Sequence, residues 1–370
     1  MRDDFFRYLA KFRFRGDVWA MPEGTPFFPQ EPILKVKAPA PDVQILETFL
    51  LSMLSYQTMV ASKAARLKLA AGAQSVIDFG TRRAHGPQAG LLAARASFIG
   101  GCSATSNVLA GQQWGIPVVG TMAHSWVMQF DSEAVAFESF RKIFPDHTIM
   151  LLDTYDTIQA ARLVARLPQG IPGVRLDSGD FSDLIPRVRR ILDEAGHTET
   201  RIVASGDLNE QKIQEITRRR LPVDSFGVGT DLVISSDAPS VNLVYKLAER
   251  MVRGKRIPAM KVSMDKATYP FSKQVLRFSR DDGYVRDQII IDTEPAAAPA
   301  LLQQVMKDGK PVKPLATIEQ IRAYATEQVA RLPRRVSRLN KPERYPVEFS
   351  QRLEREFNKL KDYRLHEKSL

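Results

Sequence analysis

Residues 174–180 read "VRLDSGD", and two further runs follow the same pattern, "IVASGD" at 202–207 and "FGVGTD" at 226–231. Each is a short, largely apolar run that stops at Gly, Ser, Thr or Asp, and the intervals at 180–195 and 208–218 carry helical periodicity. Runs that are apolar on both faces suit parallel strands covered by helices on each side. The pattern extends upstream through "SVIDFGTRR" (75–83), "VVGTMAHS" (118–125) and "IMLLDTYD" (149–156), with helical stretches predicted at 131–144 and 157–167. Six strand ends bearing polar groups predict an α/β fold built on an irregular β/α barrel, in which the carboxyl ends of the strands converge on one catalytic face. An open doubly wound sheet is the alternative, with its ligand at a topological switch point.

Outside this region the rhythm changes. "GDVWAMPEGTPFFPQEPILKV" (16–36) offers short β-prone pieces broken by Pro and Gly, as in a small antiparallel or sandwich-like unit. "VQILETFLLSMLSYQTMVASKAARLKLAAGA" (43–73) reads as a long helix, with Leu46, Phe49, Leu50, Leu54 and Met59 supplying much of its apolar surface and Gly72 stopping it. Beyond Asp231, strands are expected around Gly254 in residues 241–264, and a hairpin through Asp282 and Gly283 in 274–292. Helical periodicity is expected in "TEPAAAPALLQQVMKDG" (293–309) and "ATIEQIRAYATEQVARL" (316–332). The predicted organisation is a first part at 1–71, a barrel at 72–235 and a mixed remainder at 236–370 that rejoins the first part as a discontinuous α/β sandwich.

The 370 residues are 44% hydrophobic, enough to bury a large core and unlike a disordered chain. No apolar run approaches the roughly 20 residues needed to span a bilayer, and the start lacks the organisation of a secretory signal, so a cytoplasmic protein without membrane association is expected. Cys102 is the only cysteine, which excludes an intrachain disulfide and a cysteine-rich zinc cluster. The net charge of +11 suits a polyanionic partner. Its densest stretches, 218–220 and 331–344, carry neither zinc-finger spacing nor stacking aromatics, so small anionic substrates are expected rather than nucleic acid.

Several strand-end residues admit two readings when taken alone. His124 reads as a hydrogen-bonded turn residue or as a nucleophile. Asp153, Asp177 and Asp207 read as helix caps or as a polar set on the barrel face that binds hydroxyls and Mg2+. Gly206, Gly227, Gly229 and Thr230 read as tight-turn residues or as an anion cradle, with Arg175 as a forked donor. Phe79 belongs to the core or stacks a planar ring, Arg82 and Arg83 are solvated or pair with an anion, and Thr105 caps a helix or approaches the ligand.

The ordered set "DFGTRRAHGPQAG" (78–90), "GTMAHSWVM" (120–128), "LLDTYDT" (151–157), "VRLDSGD" (174–180), "VASGDLNE" (203–210) and "FGVGTDLVISSDAPS" (226–240), with "YPVEFS" at 345–350, resembles the nicotinate phosphoribosyltransferases. The resemblance runs through most of the chain. It implies a type II phosphoribosyltransferase barrel and a homodimer, and it implies synthesis of nicotinate mononucleotide from nicotinate and 5-phosphoribosyl 1-pyrophosphate, driven by ATP with Mg2+. Its "GTxAHS" pattern implies that His124 is transiently phosphorylated. By the same resemblance Asp177 and Asp207 lie near the ribose, Asp153 in the metal and histidine environment, and Gly206, Gly227, Gly229 and Thr230 around the monophosphate. Phe79 stacks the pyridine, and Arg82 helps bind its acidic partners. A nicotinamide- or quinolinate-specific relative and a catalytically impaired homologue are the alternatives. The start of the chain is shorter than the family pattern, so the usual N-terminal segment is expected to be missing.

Overall fold

The computed structural model describes residues 3–263 and 266–366. The chain divides into two compact units, one made of Met1–Leu54 with Asn242–Leu370 and the other of Ser55–Val241. It opens with α1 (Asp3–Ala10), β1 (Asp17–Ala20) and β2 (Leu34–Lys37), and the division falls within the long helix α2 (Ala40–Ala71). Gly72, at φ +62°, ends α2 as expected. Of the apolar residues named from sequence, Met59 is buried and Leu46, Leu50 and Leu54 are half-buried. Phe49 is 63% exposed, whereas Met59, Val60, Ala64, Leu67, Ala70 and Ala71 are buried, because it is the second half of the helix that packs into the larger unit.

In that unit, β3 (Ser75–Asp78), β4 (Ala104–Thr105), β5 (Ile149–Leu151), β6 (Gly173–Leu176), β7 (Arg201–Ala204) and β8 (Ser225–Val228) form one parallel sheet in the order β4-β3-β8-β7-β6-β5. Their apolar residues, including Val76, Leu151, Val174, Leu176, Ile202, Ala204, Phe226 and Val228, are buried, as a sheet covered on both faces requires. The helices are α3 (Pro87–Ile99), α4 (Val108–Trp114), α5 (His124–Val127), α6 (Glu133–Ile143), α7 (Thr157–Ala165), α8 (Phe181–Glu194), α9 (Glu210–Arg218) and α10 (Thr230–Ile234). Amphipathic patterning and capping explain most of them; Asp156, Asp180 and Asn209 each accept a backbone N–H in the first turn of the helix that follows.

Read cyclically, the strand order follows the chain, which is barrel logic and not the reversal of a doubly wound sheet. The sheet is a curled half-barrel whose edges are β4 and β5. Five of the six predicted runs are strands. The sixth, around 118–125, is irregular: Val119 N–H donates to Thr105 C=O at 3.0 Å and Met122 N–H to Ile149 C=O at 3.2 Å. This segment therefore bonds first to one edge and then to the other, without a ladder of its own, and delivers His124 to the same end of the sheet. Strand β4, only two residues long, has too little apolar run to be read from sequence.

The other unit completes the chain with β9 (Glu249–Val252), β10 (Lys255–Pro258), β11 (Val262–Ser263), β12 (Lys266–Ala267), β13 (Lys273–Arg280), β14 (Gly283–Ile291), β15 (Gln303–Lys307), β16 (Lys310–Pro311), α11 (Ile318–Ala330), α12 (Arg334–Ser337), β17 (Val347–Phe349) and α13 (Gln351–His366). The β9–β10 and β13–β14 hairpins fall where their turn residues predicted, and Met264, the last residue of the first stretch, lies outside the described residues. Strand β1 pairs with the late strand β15 and with β2 in the sheet β16-β15-β1-β2, so the amino-terminal and carboxyl-terminal pieces share one sheet. Residues 293–309 are not helical: Pro295 and Pro299 interrupt the run, and the following Gln303–Lys307 pairs with β1 as β15. Val275, Ile289, Ile291, Leu301 and Leu353 form this unit's core. Among the described residues, no helix is long and apolar enough to cross a membrane.

Candidate active site

Polar side chains collect at the carboxyl ends of β3 through β8, and Arg175 knots them together. From β6 its Nε donates to Ser205 Oγ at 2.7 Å, Nη1 to Thr121 Oγ1 at 2.8 Å and Nη2 to Asp177 Oδ1 at 2.5 Å. Its guanidinium also lies over the Phe79 ring, 5.6 Å from the centroid. One planar fork thus links the ends of β3, β6 and β7 and the irregular segment before His124, which makes Arg175 a framework residue. Asp177 Oδ1 accepts a second hydrogen bond from Ser205 Oγ at 2.5 Å. Burial opposes ionisation of Asp177, but the Ser205 hydroxyl, the Arg175 guanidinium and nearby His124 outweigh it and hold its carboxyl below the usual aspartate range.

His124 is the first residue of α5 and is 40% exposed. Its Nδ1 lies 3.3 Å from Thr154 Oγ1, and its Nε2 lies 3.8 Å from Asp177 Oδ2. A proton on Nδ1 directed at the Thr154 hydroxyl leaves the Nε2 lone pair available to an electrophile. Asp153 follows β5; its Oδ2 accepts from Ser178 Oγ at 2.5 Å, while its buried Oδ1 has no hydrogen-bond partner.

The three strand-end aspartates do not cap the following helices. That task falls a few residues later, to Asp156, Asp180 and Asn209, so Asp153, Asp177 and Asp207 are left to the polar face. Asp207 is exposed and adopts φ +47°, and its carbonyl accepts from Lys212 Nζ at 2.9 Å. Gly206, at φ +97°, has its Cα so close to β6 that a Cβ would lie 1.7 Å from Asp177 C=O. Gly229 precedes Thr230, the exposed first residue of α10.

At the far side, Phe79 is half-buried and its ring lies across β8. Gly227 makes room for it, since a Cβ there would come within 2.5 Å of Phe79 Cδ2. Gly227 is therefore a seat for the ring rather than a turn. Gly80 makes similar room for Val233 of α10, whose Cγ1 would lie 2.0 Å from an added Cβ. Fully buried Asp78 accepts from Gly80 N–H at 2.8 Å and Thr105 Oγ1 at 2.7 Å. Thr105 caps no helix; its hydroxyl braces Asp78 from within the core, and Asn107 caps α4. Arg82 and Arg83 are exposed in the 3₁₀ turn Thr81–Arg83, close to Phe79 in sequence.

Five polar residues of this face were not singled out from sequence: Asp78, Thr121, Thr154, Ser178 and Ser205. The signal was adjacency, since each directly flanks a named residue or lies in the same quoted motif. Lys63 carried a different signal, a charge within the apolar stripe of Val60, Ala64 and Leu67 on α2. Among the described residues, no three His, Cys, Asp or Glu side chains gather as a self-sufficient metal site. The unpartnered Asp153 oxygen nevertheless suits a hard cation that takes most of its ligands from phosphates and water.

The model of the nicotinate phosphoribosyltransferase (NAPRTase) family matches residues 74–292, with its N-terminal domain matching 1–55 and its C-terminal domain 286–356. Nicotinate phosphoribosyltransferase pncB2 of Mycobacterium tuberculosis is 41% identical over 367 residues, covering 97% of this chain and 78% of the relative. The crystal structure of human nicotinic acid phosphoribosyltransferase superposes with a TM-score of 0.85 at 29% identity, covering 97% of this chain and 85% of that one. Nicotinate-nucleotide pyrophosphorylase from Pyrococcus furiosus gives a TM-score of 0.75 at 32% identity, covering 88% and 84%. The match at 1–55 overturns the expectation that the N-terminal segment is missing. The physical reason is visible in the fold: β1 pairs with β15 on one side and with β2 on the other in a four-stranded sheet, so residues matched to the N-terminal domain supply two of that sheet's strands.

Proposed function

Because the chain belongs to the nicotinate phosphoribosyltransferase family, we infer that it joins nicotinate to 5-phosphoribosyl 1-pyrophosphate, forming nicotinate mononucleotide and pyrophosphate, with ATP hydrolysis coupled through a phosphohistidine. The observation that carries the residue-level reading is the position of His124, its Nε2 3.8 Å from the Asp177 carboxylate, on the face knotted by Arg175. In this reading His124 Nε2 attacks the terminal phosphorus of ATP, the bond to the departing ADP oxygen breaks, and Thr154 orients the ring through Nδ1. The phosphoryl group later passes to water.

Asp177 and Asp207 accept the ribose hydroxyls, and the carboxylate of Asp177 lies where positive charge develops on the sugar. Gly206, Gly229 and Thr230 present backbone and hydroxyl donors to the 5-phosphate. Phe79 stacks the pyridine, and the Arg82 and Arg83 guanidinium groups favour a ring bearing a carboxylate. The ring nitrogen is already a nucleophile at neutral pH, so no side-chain base is needed. Asp153 would hold Mg2+ together with the substrate phosphates, and the cation, when bound, neutralises charge on the departing pyrophosphate.

A homodimer is part of this reading. It is supported by apolar side chains left exposed close in sequence to site residues, namely Val108, Leu109, Val118, Met128 and Tyr155. The functional test is product analysis with nicotinate, 5-phosphoribosyl 1-pyrophosphate, ATP and Mg2+. Nicotinate mononucleotide and pyrophosphate should form together, and the absence of both from a folded preparation would overturn the assignment.

A further inference from the structure

Lys63 of α2 has a side chain only 2% exposed. Its Nζ lies 2.7 Å from Glu210 Oε2, 2.6 Å from Asp231 Oδ2 and 2.9 Å from Asp237 Oδ1. An ammonium group has three protons; Glu210 and Asp237 accept hydrogen bonds from it, and Asp231 lies within ion-pair distance. Glu210 is equally buried and has one further partner, Arg66 Nε at 3.3 Å. Burial disfavours the charge on Lys63, but Asp231, Glu210 and Asp237 more than restore it.

The position of these carboxylates in the chain matters. Glu210 opens α9 just after the turn at Gly206 and Asp207, and Asp231 directly follows Thr230. The ammonium therefore ties together the two segments that follow β7 and β8. Without it the two segments lose their common partner and are free to separate, and where Glu210 and Asp231 both keep their charge they also repel each other.

We propose that Lys63 is a positioning residue for the sugar phosphate: by bridging Glu210, Asp231 and Asp237 it holds the turns at Gly206–Asp207 and Gly229–Thr230 at a fixed spacing. This rests on the functional reading above, in which those turns receive the 5-phosphate. That phosphate is remote from the bond being broken, so its contacts are the same in the ground and transition states. Loosening them raises KM and leaves kcat nearly unchanged.

The test compares wild type, Lys63→Met, Lys63→Met/Glu210→Gln and Asp237→Asn. Lys63→Met alone strands a buried carboxylate and will lose stability, whereas the double variant removes both charges and keeps the fold testable. In the double variant, KM for 5-phosphoribosyl 1-pyrophosphate should rise about tenfold with kcat within about threefold and KM for nicotinate unchanged. Calorimetric affinity for ribose 5-phosphate should fall by about the same factor. Asp237→Asn, which retains the Lys63 bridge between Glu210 and Asp231, should stay within about twofold of wild type in both measurements. An unchanged KM and ribose 5-phosphate affinity in the folded double variant would overturn the proposal, as would a fall in kcat and active fraction alone. If wild type makes no nicotinate mononucleotide, the functional reading falls separately, and the ribose 5-phosphate titration still decides the role of Lys63.

Discussion

At the scale of single residues, His124 and Gly206 show how differently two positions on one face are constrained. His124 makes one long contact through Nδ1 and has no hydrogen bond to Nε2 among the described residues, so the fold loses little if the ring is removed. His124→Ala should keep wild-type stability within about 0.5 kcal/mol, as for a half-exposed side chain. It should abolish acid-labile phosphoenzyme formed from ATP, leaving slow transfer that ATP no longer stimulates. Normal phosphoenzyme in that variant would remove His124 from the nucleophile's role. Gly206 is the reverse case. Its φ of +97° and the 1.7 Å approach of an added Cβ to Asp177 C=O leave no room for any side chain. Gly206→Ala should cost about 3 kcal/mol or more in chemical denaturation, through backbone strain and overpacking. It should also move Asp177, so activity should fall even in the fraction that folds. A variant with wild-type stability would mean that β6 and β7 can separate without cost.

At the scale of elements, the β13–β14 hairpin carries a buried charge network whose balance can be measured. Arg277 on β13 pairs with fully buried Asp287 on β14, Nη2 to Oδ2 at 2.6 Å, and Tyr345 donates to Asp287 Oδ1 at 3.1 Å. Glu31 lies in the same network, with Oε2 accepting from Phe28 N–H at 2.9 Å. Burial first, and then the hydrogen bond and charge of Asp287, push the Glu31 carboxyl from 4.5 up to about 9, against the smaller pull of Phe28 N–H and Arg277. A folded pKa above the unfolded value means that the folded state holds the extra proton. The stability tied to Glu31 is therefore fully present below 4.5 and is lost as pH rises towards about 9. Glu31→Gln cannot ionise and should lack that slope. The difference in Tm between Glu31→Gln and wild type should grow in favour of the variant as pH is raised across this window. A difference that stays flat with pH would show that Glu31 is already ionised in the folded chain.

For the whole molecule, a net charge of +11 faces substrates that are all anions, and the field raises their local concentration. Raising ionic strength from about 0.05 M to about 0.5 M should lower kcat/KM for 5-phosphoribosyl 1-pyrophosphate by roughly three- to tenfold while leaving Tm nearly constant. Salt-independent kcat/KM would assign the basic excess to some other partner. The sequence by itself determined the parallel runs, their helical intervals and the β9–β10 and β13–β14 hairpins, because periodicity and turn chemistry are properties of neighbouring residues. It also determined the family, through the order of its motifs. Only the tertiary structure decided that residues 118–122 join the edges of the half-barrel, that 293–309 yields a strand in place of a helix, and that Asp156, Asp180 and Asn209 do the capping. It likewise decided that Gly227 seats Phe79, that Thr105 braces Asp78, and that Lys63 answers three carboxylates. Each of these depends on which distant segments meet, and a pairing between residues as far apart as Lys63 and Asp237 leaves no periodic trace along the chain.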